Sequence, residues 1–288
     1  MTVMVVPSAP VRLTVVGSVN LDLVARCAEL PRAGETLTAA SFALVPGGKG
    51  ANQALAAARM GGHVRMVGKV GDDSYAVLAL AELRAGGVDL TGVTSRPGPT
   101  GIAMIVVDDH GENQIVVVPG ANGDLGASDV DVPAGDAVLV QLEIPDAALV
   151  AAAERATGLF ALNAAPARPL PDVVRQRADL VIVNRLEAEA LGPVRPDALV
   201  AVTFGAEGAL LRWGDGTELA RATPPPVVAV DGTGAGDSFC GALIVSLLEG
   251  RSPADALRRA CAAGALAASR AGAQPSLPLA AAVNAAIT

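Results

Sequence analysis

Cysteine and histidine are scarce in this sequence of 288 residues, which contains three cysteines and two histidines. Cys27, Cys240 and Cys261 show no CxxC spacing and are odd in number, so we expect no disulfide framework and a reducing, cytoplasmic location. Their expected role is that of small buried apolar side chains. His63 follows a Gly-Gly pair and His110 lies in a DDHGEN turn. Two such residues cannot form a His-rich metal site, and both are predicted to lie at the surface.

Charge and long apolar runs are also limited. Charged residues make up 17% of the chain, and the net charge is −8 with arginines scattered along the sequence. Such a charge distribution does not predict a basic patch that could bind a nucleic acid, so no nucleic-acid partner is expected. No uninterrupted apolar run approaches the roughly 18 residues of a membrane span. The opening MTVMVVPSAP has no basic n-region and is interrupted by prolines, so neither a membrane segment nor a signal peptide is expected.

Predicted strands and helices alternate along most of the chain. The strands are predicted at 11–22, 64–73, 137–144, 158–166, 178–185, 198–205 and 208–213. The helices are predicted at 47–62, 74–87, 145–157, 170–177, 235–250 and 252–272. This alternation predicts an α/β fold with a central, mostly parallel sheet between helices. The length suits a single catalytic domain over residues 1–288.

Two β-rich segments, at about 21–45 and 98–119, interrupt this alternation and predict a separate small sheet. The second contains a hairpin at 101–120. The first strand of that hairpin is apolar on both faces, with Ile102, Met104 and Val106 on one and Ala103, Ile105 and Val107 on the other. We therefore expect one face to cover the active site as a lid and the other to meet a second subunit in a homodimer. A central strand of the main sheet is the alternative interpretation.

The stretch VDGTGAGDSF, at 230–239, places alternating glycines directly before a predicted helix. A dinucleotide fingerprint lies in the first strand–helix unit and has its acidic residue about 20 positions later. Here the aspartate follows the last glycine at once, near the C-terminal end. Bare amides at 234–237 predict an anion hole, and Asp237 in the first helical turn is placed to take a proton from an alcohol. A tight turn with a helix-capping aspartate is the alternative interpretation.

A second glycine-rich stretch, GGKGANQA at 47–54, does not satisfy the P-loop pattern. Ala43 stands where the first glycine of that pattern is required, and Gly50 follows the lysine. Lysine is otherwise rare, because only Lys49 and Lys69 occur among the 21 basic residues. A lysine in a glycine turn of such a chain is therefore a candidate for chemistry, and Asn52 accompanies it.

Polar residues also follow the ends of several predicted strands, where ligands bind in open α/β sheets. Asn20 and Asp22, in GSVNLD, suit paired sugar hydroxyls, although an Asx turn explains either residue alone. Glu143 lies just beyond another strand. Asn184 and Glu187 lie on one helix face at i and i+3 and are candidates to hold hydrated Mg²⁺ and phosphate. A helix N-cap followed by a surface glutamate is the alternative for this pair.

Taken together, these segments resemble the ribokinase family of sugar kinases from about residue 12 to residue 279. The segments that occur in the family's order are GSVNLD, PRAGET, GGKGANQA, GDD, GENQI, LNAAPAR, NRLEAE, VTFGAEGA, VDGTGAGDSFCGAL and GAQPSLP. Such an ordered set is far more specific than any single glycine pattern. The resemblance implies a three-layer fold with the main sheet between helices, and a small β lid that often forms the dimer contact.

The resemblance also implies roles for the residues around the acceptor. Asp237 matches the catalytic base. The anion hole matches Gly234, Ala235 and Gly236. The positions that hold the sugar, together with Asp237, match Asn20, Asp22, Gly48, Lys49, Asn52 and Glu143.

For ATP and the ions, the resemblance implies a further set of positions. Asn184 and Glu187 match the pair that influences magnesium and phosphate binding. The nucleotide site matches Thr203, Gly205 and Gly208, with Gly236 beside the phosphates. The loops around a monovalent cation, usually potassium, match Asp231, Thr233, Ala267, Arg270, Gly272 and Ser276, several of them through backbone carbonyls.

The expected activity is transfer of the γ-phosphoryl group of ATP to the primary 5-hydroxyl of ribose. The alternatives are a kinase for 2-deoxyribose, fructose or a nucleoside, and a sugar-binding regulator on the same scaffold that no longer turns over. An aromatic content of 2% disfavours a pocket that stacks a nucleobase as acceptor. The chain departs from the family at Gly232, where threonine is usual, and at 191–199, where a further helix is usual.

Overall fold

The computed structural model describes residues 10–287 and contains two β-sheets. Its strands are β1 (Arg12–Val16), β2 (Asn20–Arg26), β3 (Ser41–Gly47), β4 (His63–Gly71), β5 (Asp89–Arg96), β6 (Gly101–Val107), β7 (Asn113–Val118), β8 (Ala137–Gln141), β9 (Phe160–Asn163), β10 (Leu180–Asn184), β11 (Leu199–Thr203), β12 (Ala209–Trp213) and β13 (Glu218–Ala222). Its α-helices are α1 (Lys49–Arg59), α2 (Ser74–Ala79), α3 (Ala81–Ala85), α4 (Asp146–Arg155), α5 (Asp172–Arg177), α6 (Arg185–Ala190), α7 (Ala235–Leu248), α8 (Pro253–Ala268) and α9 (Ala280–Ala286). None of the helices between residues 10 and 287 is long and apolar enough to cross a membrane.

The larger sheet, within these residues, has nine strands in the order β13-β12-β11-β10-β9-β8-β1-β4-β5. Neighbouring strands from β11 to β5 are parallel. Strand β12 runs antiparallel to both β11 and β13. The predicted α/β class, with a mostly parallel central sheet and helices, is thus confirmed.

The order of the strands reverses between β1 and β8. From β1 the chain adds β4 and β5 on one side, and it later builds β8 to β13 on the other. In open α/β sheets this reversal opens a crevice beyond the carboxyl ends of the two strands, and ligands bind there. The segments that leave β1 and β8 carry Asn20 and Glu143, so the topology brings these two predicted site residues to one place.

Side chains of the central strands alternate between two apolar cores, one on each face of the larger sheet. Leu13 and Val15 of β1 belong to the core that includes α1, α7 and α8. Val16 belongs to the other core, which includes α4. Because both faces are buried, the strands are nearly continuous runs of β-branched and aliphatic residues rather than alternating ones.

The smaller sheet has the strand order β3-β2-β6-β7. Strand β6 therefore belongs to this sheet and not to the centre of the main sheet, and the predicted separate small sheet is confirmed. The prediction of one strand over 11–22 is wrong, because the chain leaves the main sheet after Val16 and enters the small sheet at Asn20. At this crossing Gly17 lies against α1, and a Cβ there would be 2.7 Å from Gly50 Cα.

Other differences from the predicted elements lie at sheet edges and helix ends. The predicted helix 74–87 is divided at Leu80, which ends α2 and precedes α3 with its side chain buried. Strands β5 and β13 were not predicted, because both are polar edge strands whose side chains are partly solvated. The short helix α9 was not predicted either. The predicted exposure of His63 and His110 and burial of the three cysteines are confirmed.

Helix α7 is the central helix of the larger core and carries the end of the glycine-rich stretch. It is buried from Asp237 to Ser246 and packs against α1 and α8. Small residues allow this close packing. A Cβ at Gly241 would lie 2.7 Å from both Ala56 Cβ and the backbone nitrogen of Ala57. The position of α7 relative to α1 therefore depends on a glycine at this point.

We predict that Gly241→Ala destabilises the fold by about 1–3 kcal/mol, because the added methyl must push α7 away from α1. Urea unfolding followed by circular dichroism measures this loss. Gly123→Ala is the matched control, since a Cβ there meets nothing closer than 3.5 Å. Equal stability of the Gly241→Ala and Gly123→Ala proteins would contradict the close packing described here.

Candidate active site

A cleft of about 920 Å³ lies between the two sheets, at the crevice where the strand order reverses. Its walls include residues from the small sheet, the start of α1, the end of β8 and the start of α7. The predicted site residues that line it are Asn20, Asp22, Gly48, Lys49, Asn52, Glu143, Asn184, Glu187, Thr203, Asp231, Thr233, Gly234, Gly236, Asp237 and Gly272. The predicted residues absent from its lining are Gly205, Gly208, Ala235, Ala267, Arg270 and Ser276. The structure thus gathers most of the predicted site in one cavity.

Asp237 lies at the base of this cleft in the first turn of α7, with 7% of its surface exposed. Its two carboxylate oxygens accept hydrogen bonds from two side chains of α1. Asn52 Nδ2 donates to Oδ2 at 2.9 Å, and Gln53 Nε2 donates to Oδ1 at 2.8 Å. The carboxylate is therefore held between α1 and α7, and it still lines the cleft.

The N-terminus of α7 provides free backbone donors beside Asp237. Gly234 caps the helix in the left-handed conformation, with φ of 78°. The amides of Gly234, Gly236 and Asp237 make no hydrogen bond within residues 10–287. The expectation of bare amides throughout 234–237 is corrected at Ala235, whose amide donates to Gly232 O at 3.2 Å in a turn. Free amides at a helix N-terminus bind anions, so this corner can hold a phosphate group.

Glu143 is fixed on the opposite wall by the start of α1. Its Oε2 accepts a hydrogen bond from Ser18 Oγ at 2.6 Å and another from the Lys49 backbone nitrogen at 3.0 Å. Gly50 N donates in turn to Ser18 Oγ at 3.3 Å. Since one oxygen of Glu143 is occupied in this way, the other is free to accept from a ligand hydroxyl.

Asn20 and Asp22 project from β2 of the small sheet. Asn20 Oδ1 accepts from Asn122 Nδ2 at 2.7 Å, which orients the Asn20 amide. The Asp22 carboxylate packs against Gly47 on the neighbouring strand, where a Cβ would overlap it. Asp22 is 8% exposed, and its carboxylate accepts no hydrogen bond within the described part of the chain. A buried carboxylate without partners calls for a donor such as a hydroxyl group.

The charges of the cleft influence one another strongly. Burial, together with the charges of Glu143 and Asp237, raises the pKa of Asp22 to about 7. Burial also raises the pKa of Asp237, against the lowering effects of Lys49 and of the Asn52 and Gln53 amides. Burial alone would lower the pKa of Lys49, but the charges of Asp237 and Glu143 outweigh it and raise that pKa. Lys49 therefore stays charged and stabilises the acidic groups around it.

Asn184 and Glu187 form a capping box at the start of α6. Asn184 Oδ1 accepts from Glu187 N at 2.8 Å, and Glu187 Oε2 accepts from Asn184 N at 2.8 Å. The interpretation as a helix cap is thus correct. Both residues also line the cleft, and the capping box leaves Glu187 Oε1 free, so the role at magnesium remains a prediction.

The predicted nucleotide residues follow β11. Thr203 ends this strand and lines the cleft. Gly208 has φ of 98°, and a Cβ there would overlap the carbonyl oxygen of Ala222. Gly205 also has positive φ and lies in open space. The glycines thus shape the turn behind the cleft wall, whereas only Thr203 reaches the cavity.

The predicted cation loops are tied together by Asp231. Its Oδ1 accepts from Thr233 Oγ1 at 2.6 Å, and its Oδ2 accepts from the Gly272 amide at 2.9 Å. Ser276 is buried and donates through Oγ to Ala273 O at 2.7 Å. Within residues 10–287 no group of three or more His, Cys, Asp or Glu side chains could hold a metal ion. A cation between these loops would thus depend largely on backbone carbonyl oxygens.

Four polar residues of the site were missed by the sequence analysis: Ser18, Gln53, Asn122 and Asn163. Ser18 and Gln53 are buried and belong to the quoted segments GSVNLD and GGKGANQA. A buried polar residue inside an alanine-rich helix is the signal that could have identified Gln53. Asn122 follows the hairpin in a 3₁₀ turn, where nothing in its sequence context distinguishes it from a loop residue.

The fold and the cleft together define a class of protein. A carboxylate and unpaired helix amides face one cavity at the reversal point of an α/β sheet, and a second sheet bounds that cavity. The acid can accept a proton from an alcohol while the amides bind a phosphoryl group. This arrangement is that of a small-molecule kinase.

The chain belongs to the pfkB family of carbohydrate kinases, whose sequence profile matches residues 11–280. It is 39% identical to the ribokinase of Bacillus subtilis over 285 residues, which cover 92% of this chain and 96% of that protein. It is 32% identical to a deoxyribokinase of Salmonella typhi, over 92% of this chain and 95% of the relative. The structure of Arabidopsis thaliana ribokinase complexed with ribose and ATP superposes with a TM-score of 0.85 at 29% identity, covering 97% of this chain and 99% of that one.

We predict that Asp22→Asn gains stability relative to the wild type as pH rises from about 4 to about 7. The pKa of Asp22 is about 7 in the folded protein and about 3.9 when unfolded, so the folded state holds a proton that is lost as pH rises through the folded value. The expected change in the stability difference over this range is about 3 kcal/mol. Urea unfolding of both proteins across this range measures it.

Asp109→Asn, in an exposed turn, controls for the loss of a negative charge and should show little of this dependence. A stability difference between Asp22→Asn and wild type that stays constant with pH would contradict the raised pKa.

Proposed function

We propose that this protein transfers the γ-phosphoryl group of ATP to the primary 5-hydroxyl of ribose, producing ribose 5-phosphate. The observation that carries the proposal is the Asp237 carboxylate, held by Asn52 and Gln53 beside free helix amides and facing the cleft. Similarity to curated ribokinases over most of the chain supports it. So does the match to a ribokinase structure complexed with ribose and ATP.

In this mechanism Asp237 is the general base. It accepts the proton of the attacking hydroxyl as that oxygen approaches the phosphorus. Phosphoryl transfer proceeds through a loose transition state, so the protein acts chiefly by positioning the reactants and stabilising charge. The donors on both Asp237 oxygens favour the ionised form that a base requires.

The start of α7 forms the anion hole for the transferred group. The free amides of Gly236 and Asp237, together with the helix dipole, stabilise negative charge on the phosphoryl oxygens. A Cβ at Gly236 would meet no heavy atom within 4 Å. The space over this residue is therefore open to the phosphoryl group, and the hydroxyl and the phosphate can approach each other there.

The sugar subsite lies between the small sheet and the start of α1. Asn52 Oδ1 is buried and has no hydrogen-bond partner, so it requires a donor, which a sugar hydroxyl supplies. The carboxylates of Asp22 and Glu143 also accept hydroxyl donors. Lys49 carries a positive charge among them. A polyhydroxylated substrate satisfies this set of acceptors, whereas an apolar ligand would leave them unpaired.

We infer that two ions assist the reaction. Glu187, with a free carboxylate oxygen near Asn184, would hold the hydration shell of Mg²⁺, which when bound neutralises the β- and γ-phosphates of ATP. The loops around Asp231 would hold K⁺ through carbonyl oxygens from the positions Thr233, Ala267, Arg270, Gly272 and Ser276. Oxygen donors suit such hard cations. The nucleotide itself would lie along Thr203 and the turn at Gly205 and Gly208.

The small sheet serves in this proposal as a lid, formed by about 21–45 and 98–119 of the single catalytic domain. The face with Ala103, Ile105 and Val107 lines the cleft. A lid over the cleft excludes water, which would otherwise hydrolyse ATP.

We also infer a cytoplasmic location, because all three cysteines are free and buried rather than paired.

A homodimer through the other face of the lid is part of the proposal. That face carries Phe42, Leu44, Met104 and Val116, of which Phe42 is 62% and Val116 58% exposed. A sheet with two apolar faces needs a partner on each, and a second copy of the same chain offers a self-complementary surface.

We predict that Asp237→Asn lowers kcat by about 10²–10⁴-fold, because the amide cannot accept the hydroxyl proton. Ribose binding, measured by calorimetry, should be retained.

ADP release by the wild type is to be followed with ribose, 2-deoxyribose, fructose and nucleosides, each with and without potassium. Ribose should give the highest kcat/KM, and potassium should raise it.

The matched control is Asp255→Asn, which changes an exposed acid in the first turn of α8 and should leave turnover intact. Near-normal turnover of Asp237→Asn would remove the base assignment. A preference of the wild type for 2-deoxyribose, as the similarity to a deoxyribokinase allows, would replace ribose as the acceptor. Absence of ADP release with every acceptor would favour a sugar-binding regulator.

We predict that Met104→Lys converts a dimer into a monomer, since a charge in the centre of an apolar interface must be desolvated without a partner. Light scattering after gel filtration measures the mass. Val173→Lys, at an exposed valine of α5 in the body of the protein, should leave the wild-type mass unchanged. A wild-type mass equal to one chain would contradict the dimer.

A further inference from the structure

A chain of buried side-chain amides ends on the Asp237 carboxylate. Gln141 Nε2 donates to Gln53 Oε1 at 2.7 Å. Gln53 Nε2 then donates both to Asn163 Oδ1, at 2.9 Å, and to Asp237 Oδ1, at 2.8 Å. The chain joins β8, α1, β9 and α7, and its two glutamines have no exposed surface.

The direction of this chain is set by a backbone carbonyl. Asn163 Nδ2 donates to Ile182 O at 3.0 Å, so Asn163 must present its oxygen to Gln53. Gln53 must then present its NH₂ group to Asn163 and to Asp237, and its oxygen to Gln141. A reversed Gln53 amide would place oxygen against two oxygens. The strand that contains Ile182 thus determines that a donor, and not an acceptor, faces Asp237.

From this arrangement we propose that Gln53 is a positioning residue that holds Asp237 in one orientation and keeps it ionised for proton acceptance. The inference rests on the proposed function, because it concerns the base of that reaction. Asn52 occupies the other oxygen, Oδ2, and reaches the cleft. Gln53 does not line the cleft, so it can act on the substrate only through the cleft residues that it bonds, Asp237 and Asn163.

Packing alone does not account for a glutamine at this point. The side chain of Gln53 is completely buried within a helix whose next five positions, 54–58, are alanine and leucine. A buried amide must find partners for all its polar atoms, whereas an apolar residue of the same shape has no such requirement. An amide at this position is therefore explained by the groups that it bonds, and Asp237 is the only charged group among them.

Charged and titratable groups from the surrounding elements also act on Asp237. Lys49 on α1 favours its ionised form, and Glu143 after β8 opposes it. Asp22 on the small sheet and Cys240, one turn along α7, interact with Asp237 as well. Loss of the Gln53 donor leaves all these groups in place. The resulting change in the pKa of Asp237 can thus be assigned to the loss of the Gln53 amide, whose hydrogen bond to Asp237 is the only one it makes to a charged group.

The test is Gln53→Met, which keeps the length of the side chain and removes the donor. We expect the pKa of Asp237 to rise by about one pH unit, because a hydrogen bond to the ionised form is lost. Carbon-13 NMR of aspartate carboxyl groups measures this pKa, with Asp237→Asn to assign the signal. The acid limb of kcat should move to higher pH by the same amount, while KM for the sugar changes little.

Leu55→Ala is the matched control, since it removes buried contacts of the same helix without touching Asp237. It should lower stability and leave the acid limb in place. If Gln53→Met does not fold, Gln141→Met is the alternative test. It removes only the hydrogen bond that Gln141 donates to Gln53, and it should raise the pKa of Asp237 by a smaller amount. An unchanged pKa of Asp237 in the variant that folds would overturn the proposal. The NMR titration needs no turnover, so its result is independent of whether ribose is the acceptor.

Discussion

The site depends on one acidic side chain that is held inside a helical core. Asp237 is almost completely buried, and burial favours its neutral form. Helix α1 opposes this by supplying Lys49, Asn52 and Gln53 from consecutive turns at its start. These side chains reach Asp237 only because α1 and α7 pack very closely. The small residues at the contact of the two helices, Gly241 of α7 and Ala56 of α1, thus matter for the site as well as for the packing.

The reversal of strand order places a second acidic side chain, Glu143, in the same cleft. Glu143 leaves β8 and is bound by Ser18, which leaves β1, so the two strands at the reversal point are joined by the site itself. The N-terminus of α1 contributes the Lys49 amide to the same carboxylate. Two helices therefore direct their N-termini at one cavity: α1 binds the Glu143 carboxylate, and α7 presents the unpaired amides that would bind phosphate in the proposed reaction. This division explains why the cavity combines acidic side chains with anion-binding amides.

Much of this arrangement was predictable from the sequence, and the exceptions have physical causes. Alternating elements and the ordered segments predicted the main sheet, the small sheet and the positions of Asp237, Asp22 and Glu143. The crossing near Gly17 was missed, because GSVNLD continues an apolar run and only the packed α1 shows where the chain turns. Gln53 was missed because its partners are brought by β8 and β9, more than 80 residues away in sequence. The capping box of Asn184 and Glu187 is local, and the sequence had already suggested it as one alternative.

Strand β2 has a mechanical consequence for substrate recognition. Asp22 belongs to the small sheet, whereas Asn52 and Glu143 belong to the body of the protein. In the proposed function, a sugar that bonds to both groups would link the two sheets, so its size would influence the distance between them. A ligand can change such a gap only as far as it binds one spacing better than another. An acceptor that lacks the hydroxyl next to Asp22 would thus lose its hold on the small sheet while keeping its contacts with the body.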